Sequence, residues 1–274
     1  MNHLPITDPI PEIHLGIKAA EVASKAVMEI YQNDFKTNLK NDNEPITEAD
    51  IQSNEIIKKI LADSGHVILS EESPDDDARL TADRVWIVDP LDGTSDFVNK
   101  TGEFTIMISL VEKKVPVLGI ISQPTTGSLF IAQKTKGSFA WDGNQWTKLA
   151  VSNESELRKC RIVGSRFHIS DDERRIFDSL NTAKFTSLGS SLKVIEICKA
   201  NAELYFTLTD KIKQWDTCAS NCIVTEAGGK ITDTKGKNLE YNTSFLNHKD
   251  GIIVTNGIIH NEIVKTCENF YQTS

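Results

Sequence analysis

No apolar run in this 274-residue chain comes near the roughly 18 residues that mark a membrane-spanning helix. The N-terminus also lacks a charged segment leading into an apolar core and a small-residue cleavage site. The expectation is a cytoplasmic protein, with peripheral membrane attachment left open. Cysteine is sparse and unpatterned: Cys160, Cys198, Cys218, Cys222 and Cys267 are odd in number and form neither a CxxC nor a Cys/His zinc spacing. A disulfide framework and a zinc site are therefore not expected, and the thiols read as buried and reduced. Basic charge is short as well, with 30 Lys and Arg against 39 Asp and Glu and a net charge of −9. Without a basic stripe the chain is not expected to bind a nucleic-acid polymer. A small anionic substrate stays compatible, provided that metal ions, helix N-termini or single basic residues supply positive charge locally.

What the chain does have is the run Trp86-Ile87-Val88-Asp89-Pro90-Leu91-Asp92-Gly93-Thr94. An apolar strand delivers two carboxylates, a backbone carbonyl and a glycine-opened amide turn within a few residues. Two acids so close repel each other unless a cation lies between them, and a cation with open positions can carry phosphate chemistry. Gly93-Thr94 at a helix start offers amides to a phosphate. The set reads as a tight proline turn that buries two acids around a cation.

The remaining chain reads as two layered halves with a cleft between them. Amphipathic helices are predicted over residues 11–31 and 47–62, the second with Ile51, Ile57, Ile60 and Leu61 on its apolar face. Strands at 67–69, 85–88, 104–111, 117–122, 129–132 and 138–141, with a hairpin turn at Asp142-Gly143, make a meandering sheet. Beyond residue 150 the pattern alternates: strands at 161–163, 204–208 and 252–254, helices near 170–180, from Ser190, and from Trp215 to Ala227. No internal repeat is visible. The division falls between residues 1–150, carrying the acid loop, and 151–274, and at 39% hydrophobic residues the chain can bury its own core.

Other acids have two readings each. Glu71 ends the 67–70 run, where a strand hands over to a loop, and reads as a third carboxylate ligand or as a surface acid. Asp50 lies in the first turn of the second helix, where the dipole favours an acid whatever else it does. Asp216 opens a later helix and could simply cap it. Asp75-Asp76-Asp77 reads as a solvated loop.

Asp89-Pro90-Leu91-Asp92-Gly93-Thr94 resembles the DPxDGT signature of the inositol monophosphatase superfamily. Trp215-Asp216, with Glu226-Ala227-Gly228-Gly229, resembles its second signature, and Pro45 to Asp50 and Ser70-Glu71-Glu72 agree in order and spacing. The resemblance covers roughly residues 10–257. It implies an α/β (α+β) fold of layered αβαβα type and phosphomonoester hydrolysis that depends on two or three Mg²⁺ per site and is inhibited by Li⁺. By position, it implies that Glu71, Asp89 and the Leu91 carbonyl hold one ion and that Asp89, Asp92 and Asp216 hold a second. Thr94, hydrogen-bonded to Asp50, would orient and deprotonate the attacking water, and the Gly93 and Thr94 amides would grip the phosphate. Oxygen-only ligands suit Mg²⁺, which keeps several of its waters.

Gly189-Ser190-Ser191-Leu192-Lys193, together with Ser165-Arg166-Phe167-His168, Gly102-Glu103-Phe104-Thr105 and Phe245-Leu246-Asn247, resembles the CysQ-type 3′(2′),5′-bisphosphate nucleotidases. The likeness implies that His168, Gly189, Ser190, Lys193 and Asp216 contact a nucleotide. It points to 3′-phosphoadenosine 5′-phosphate, cleaved to AMP and phosphate, with Lys193 on the 5′ end and the sulfated nucleotide as a second substrate. On their own, Lys193 reads first as a solvated helix lysine and His168 as a loop or cap residue, and only their place beside the metal motifs favours the other reading. Gln214 before Trp215 and Ser95-Asp96 after the DGT run depart from many relatives. An inositol-1-phosphatase, or a broader phosphatase acting on NADP or inositol polyphosphates, is the second reading. A non-catalytic phosphate- or metal-binding protein is a remote third, and a monomer or homodimer is expected.

Overall fold

The computed structural model describes residues 4–40 and 45–273. Helix α1 (Glu12–Tyr31) buries Ile13, Ile17, Ala20, Ala23 and Val27 along one face, the stripe that the helical spacing predicts. Gly16 lies on that face because a Cβ there would sit 2.4 Å from Ile120. Strands β1 (Thr37–Leu39) and β2 (Pro45–Thr47) pair antiparallel and lead into α2 (Glu48–Leu61), capped by Thr47. Ile57 and Leu61 are buried as expected, and Ile60 is half-buried, but one position departs from the expected face. Ile51 is exposed, whereas Asp50, Ser53 and Asn54 are buried.

Seven strands form the first sheet in the order β3 (Val67–Ser70), β4 (Arg84–Asp92), β5 (Thr105–Glu112), β6 (Val115–Gln123), β7 (Ser128–Gln133), β8 (Gly137–Trp141) and β9 (Trp146–Lys148). Strand β3 runs parallel to β4, and the rest is the antiparallel meander expected from the alternation. Asp142-Gly143 makes its last turn. A single turn of helix, α3 (Thr94–Val98), follows β4.

The second sheet has the order β11 (Lys184–Leu188), β10 (Arg161–Ser165), β12 (Leu204–Thr207), β14 (Ile252–Thr255) and β13 (Lys230–Thr232). Three cores show how the layers stack. Ile106, Ile108 and Leu110 of β5 pack with α1 and α2, while Met107 on the opposite face meets Ile121, Phe130 and the helices α5 (Leu192–Cys198) and α6 (Gln214–Glu226). The same middle core takes Val163, Tyr205 and Val254 from the second sheet. Ile162, Leu204 and Phe206 face the other way, onto α4 (Asp171–Ser179) and α7 (His260–Thr273). The result is the αβαβα layering that the resemblance implies. Gly119 brings α6 close to the first sheet, since a Cβ there would meet the Ala219 carbonyl at 2.6 Å.

Two further expectations are settled here. All five cysteines are free and buried. The acid run Asp75-Asp76-Asp77 is exposed as expected, although Asp75 also grips the buried Arg79 guanidinium at 2.6 Å. No helix among the described residues is long and apolar enough to cross a membrane.

Candidate active site

The proline turn expected at Asp89-Pro90-Leu91-Asp92 is a bulge inside a strand. Pro90 has no N–H to give the ladder, so the pairing of β4 with β5 shifts between Asp89, opposite Met107, and Asp92, opposite Thr105. The bulge is braced from both sides. Leu91 N–H donates to Asp89 Oδ1 at 3.0 Å, and Ser53 Oγ of α2 donates to the Pro90 carbonyl at 2.7 Å. Asn54 accepts from Ser70 Oγ at 2.7 Å and holds the end of β3 beside it. This is why α2 turns polar residues inward and leaves Ile51 outside.

Gly93 then takes φ 90°, a left-handed conformation that few other residues adopt, and α3 starts at Thr94. A Cβ on Gly93 would also lie 3.1 Å from Ser190 Cβ. The turn at Gly93 and the turn at Gly189-Ser190 are therefore in direct contact across the molecule. The helix expected from Ser190 starts instead at Leu192, because Ser190 itself is left-handed at φ 50°.

A cleft of about 880 Å³ between the sheets is lined by Glu71, Asp89, Leu91, Asp92, Gly93, Thr94, His168, Gly189, Ser190, Lys193 and Asp216. Of the residues singled out from the sequence, only Asp50 does not line it, and Asp50 reaches it through Thr94. Among the described residues, however, no three acid, imidazole or thiol groups close into a ligand cage. Each carboxylate is held by other partners. Glu71 pairs with Lys40 at 2.6 Å, Asp92 accepts from Ser191 N–H at 2.5 Å and Thr105 Oγ1 at 3.2 Å, and Asp216 accepts from Lys213 N–H at 2.7 Å.

Electrostatics nonetheless mark the cleft as a place for cations. Burial, and then the charges of Glu71, Asp92 and Asp216, push the Asp89 carboxyl well above the usual range. Burial likewise raises Glu71 to about 7, against the pull of Lys40, and raises Asp92 against the pull of Lys193. A nest of oxygen donors that repel one another around a buried aspartate fits a hard divalent ion, which would replace the protons that otherwise separate them.

Thr94 Oγ1 donates to Asp50 Oδ1 at 2.9 Å and lies 3.2 Å from the Leu91 carbonyl. On its other oxygen Asp50 accepts from Thr47 N–H at 2.7 Å and Thr47 Oγ1 at 2.6 Å. Burial raises the Asp50 carboxyl even against these bonds. The helix-start role and the Thr94 contact therefore coexist in one side chain, and so do capping and cleft lining in Asp216.

Lys193 is not the solvated lysine that spacing alone allows. It is buried, donates to the Ser190 carbonyl at 2.6 Å and lies 5.3 Å from the Tyr205 ring centre. Burial pulls its ammonium below the usual lysine range while Asp92, Asp96, Glu103 and Asp216 pull it up. His168 is exposed at the cleft wall, its N–H 3.2 Å from Ser165 Oγ. Three residues here had no contact assigned from the sequence: Lys40, and Glu103 and Thr105, which entered only as part of the Gly102–Thr105 resemblance. Lys40 and Glu71 are 31 positions apart, and no spacing rule links them.

With this geometry in view, the chain can be placed among known proteins. The family model described as the inositol monophosphatase family matches residues 10–271. The chain belongs to the inositol monophosphatase family. A 3′(2′),5′-bisphosphate nucleotidase CysQ of Buchnera aphidicola is 34% identical over 82% of this chain and 85% of that protein. The Escherichia coli K12 protein of the same name is 32% identical over 88% of this chain and 92% of its own length. The crystal structure of CysQ from Bacteroides thetaiotaomicron superposes with a TM-score of 0.77 at 29% identity, covering 89% of this chain and 96% of that one. The Thermotoga maritima IMPase shares the fold at a TM-score of 0.83 and 24% identity, covering 96% of this chain and 99% of its own.

Proposed function

We propose that this protein is a metal-dependent phosphomonoesterase of the 3′(2′),5′-bisphosphate nucleotidase type, removing the 3′-phosphate of 3′-phosphoadenosine 5′-phosphate. The observation that carries this reading is the convergence, in one cleft, of the Asp89 acid nest with a buried lysine on the Gly189–Lys193 turn. Similarity to several bisphosphate nucleotidases over 82–88% of this chain supports it. The family is metal-dependent, generally on Mg²⁺. Glu71, Asp89 and the Leu91 carbonyl would hold one ion, and Asp89, Asp92 and Asp216 another. Two or three ions per site and inhibition by Li⁺ belong to this reading. When bound, the cations neutralise phosphoryl charge and acidify water.

The chain's own groups divide the rest of the work. Thr94 donates its hydroxyl hydrogen bond to Asp50, so it can pass that proton to Asp50 as its oxygen takes one from the attacking water. Water adds a hydroxyl to phosphorus and gives its proton to the Thr94–Asp50 pair, the bond to the 3′-oxygen breaks, and the leaving oxygen takes a proton from solvent water while the pair later returns its own to solvent, yielding AMP and inorganic phosphate. The Gly93 and Thr94 amides hold the transferred phosphate. Lys193 holds the 5′-phosphate while His168, Gly189, Ser190 and Asp216 bound the nucleoside. Gly189 gives its N–H to Glu103, so its share in that contact falls to its other atoms. On this reading residues 1–150 supply the metal and phosphate half and residues 151–274 the substrate half. The enzyme works in the cytoplasm as a monomer or homodimer.

A phosphate-release panel tests the function. Turnover of the 3′,5′-bisphosphate should exceed that of inositol 1-phosphate and NADP, with Mg²⁺ required and Li⁺ inhibitory. Equal rates on inositol phosphate and bisphosphate would defeat the nucleotidase reading. Replacing Lys193 with Ala should raise KM for the bisphosphate by about tenfold, the size of one charge-assisted contact, with a smaller change in kcat. Unchanged KM would remove Lys193 from the substrate site.

A further inference from the structure

We propose that Glu103 is a positioning residue that latches the Gly189–Ser191 turn onto the first sheet and thereby sets affinity for the nucleotide. The inference rests on the nucleotidase reading above and adds a residue outside the cleft to it.

Glu103 lies in the loop between α3 and β5, and its carboxylate reaches across to the second sheet. Oε2 accepts the Gly189 N–H at 2.7 Å and the Arg166 guanidinium at 2.6 Å. Gly189 follows β11 and Arg166 follows β10, so one oxygen ties the ends of two neighbouring strands to the other layer. Arg166 also lies 3.5 Å from Asp96 of α3, and Asp96 is fixed in turn by Thr101 Oγ1 at 2.7 Å.

The turn needs such a tie. Ser190 holds φ 50° without being glycine, a conformation that persists only when its surroundings impose it. Space on its two sides is already used: a Cβ on Gly189 would sit 2.3 Å from Asp96 Oδ2, and one on Gly93 would touch Ser190. The turn is therefore seated on the phosphate loop itself, and its position registers the nucleoside against the reacting phosphate.

Two acids anchor it, and they differ in kind. Asp92 accepts from Ser191 N–H, but Asp92 is a proposed metal ligand and must share its oxygens with a cation. Glu103 is not among the residues that line the cleft. Glu103 is not a proposed ligand either, so its bond to Gly189 N–H does not compete with a cation for the same oxygen.

Steady-state kinetics on the full chain with Mg²⁺ decide the matter. Glu103→Ala should raise KM for the 3′,5′-bisphosphate by about tenfold, the effect of losing a charge-assisted bond to a backbone N–H, with kcat within about twofold. Hydrolysis of p-nitrophenyl phosphate, which has no nucleoside to place, should be unchanged. Glu103→Gln keeps an acceptor oxygen for Gly189 but loses the charge that holds Arg166, and should fall between wild type and Glu103→Ala. If the alanine variant does not fold, the glutamine variant carries the test. A bisphosphate KM within twofold of wild type in the variant tested, or a parallel loss on both substrates, overturns the latch. Wild-type preference for inositol 1-phosphate would instead overturn the nucleotidase reading. The same KM comparison on that ester then decides whether Glu103 positions the turn.

Discussion

Asp89→Asn is expected to lower turnover by about a thousandfold or more, the scale of several kcal/mol of lost charge stabilisation, while the fold survives. The side chain is buried at the centre of the acid nest, and both proposed ions would share it. Asparagine matches its shape but removes a charge from each ion at once. The same change should stabilise the metal-free protein, because Asp89 is the group that Glu71, Asp92 and Asp216 repel most directly. For a chain of this size each 1 kcal/mol of relieved repulsion raises Tm by roughly 2–4 °C. Activity and chelated-state stability should therefore move in opposite directions, and Mg²⁺ should no longer raise Tm as it does in wild type. Near-normal turnover in Asp89→Asn would show that the metal assignment is wrong.

A pH dependence follows from the same carboxyls. Their folded-state values are raised, so the folded chelated protein binds more protons than the unfolded chain between the ordinary carboxylate range and about 7, the value for Glu71. Stability from these groups is present at low pH and is lost as pH rises through that window. Melting of chelated wild type should shift downward from pH 5 to 7.5 more than that of Asp89→Asn, and added Mg²⁺ should help most at the upper end.

Much of the molecule was legible because its signals are local. The alternation through Ile106, Ile108 and Leu110 predicts β5 and its buried face, and the stripe on α1 predicts that helix to within a residue or so. Elements with weak local patterns were not seen. Strand β11 is an edge strand with mostly exposed or half-buried side chains, β13 has three residues, and α7 buries little more than Ile263 and Cys267 on a polar helix. In α2 the local pattern holds at Ile57 and Leu61 but misleads at Ile51: Asp50, Ser53 and Asn54 face inward to hydrogen-bond Thr94, the Pro90 carbonyl and Ser70, and Ile51 is left in solvent. The acids of the DPxDGT run were legible from repulsion and spacing, and their grouping in one cleft with Glu71 and Asp216 agrees with the family resemblance. The contacts of Lys40, Thr105 and Glu103 were not, although the last two lie in the quoted Gly102–Thr105 segment, because each acts through a long-range bond that only the folded chain creates.

Thr94→Ala is the second change with a large expected effect, a loss of about a hundred- to ten-thousandfold in kcat, the usual worth of general acid–base assistance. The hydroxyl sits between Asp50 and the cleft and is the only link between them among the hydrogen bonds described. Burial makes Asp50 a better proton acceptor than a surface aspartate, and its second oxygen is spent on Thr47, so it can act only in the direction of Thr94. Removing the methyl instead of the hydroxyl should matter little: Thr94→Ser should keep most of the activity. Asp50→Asn should fall close to Thr94→Ala, and the double variant should lose little more than either single one, because the two groups act as one relay. KM should move much less than kcat in all of them, since neither group is needed to hold the nucleotide. If Thr94→Ala retains more than about a tenth of wild-type kcat, the relay is not the base, and Asp50 is left with its role at the start of α2.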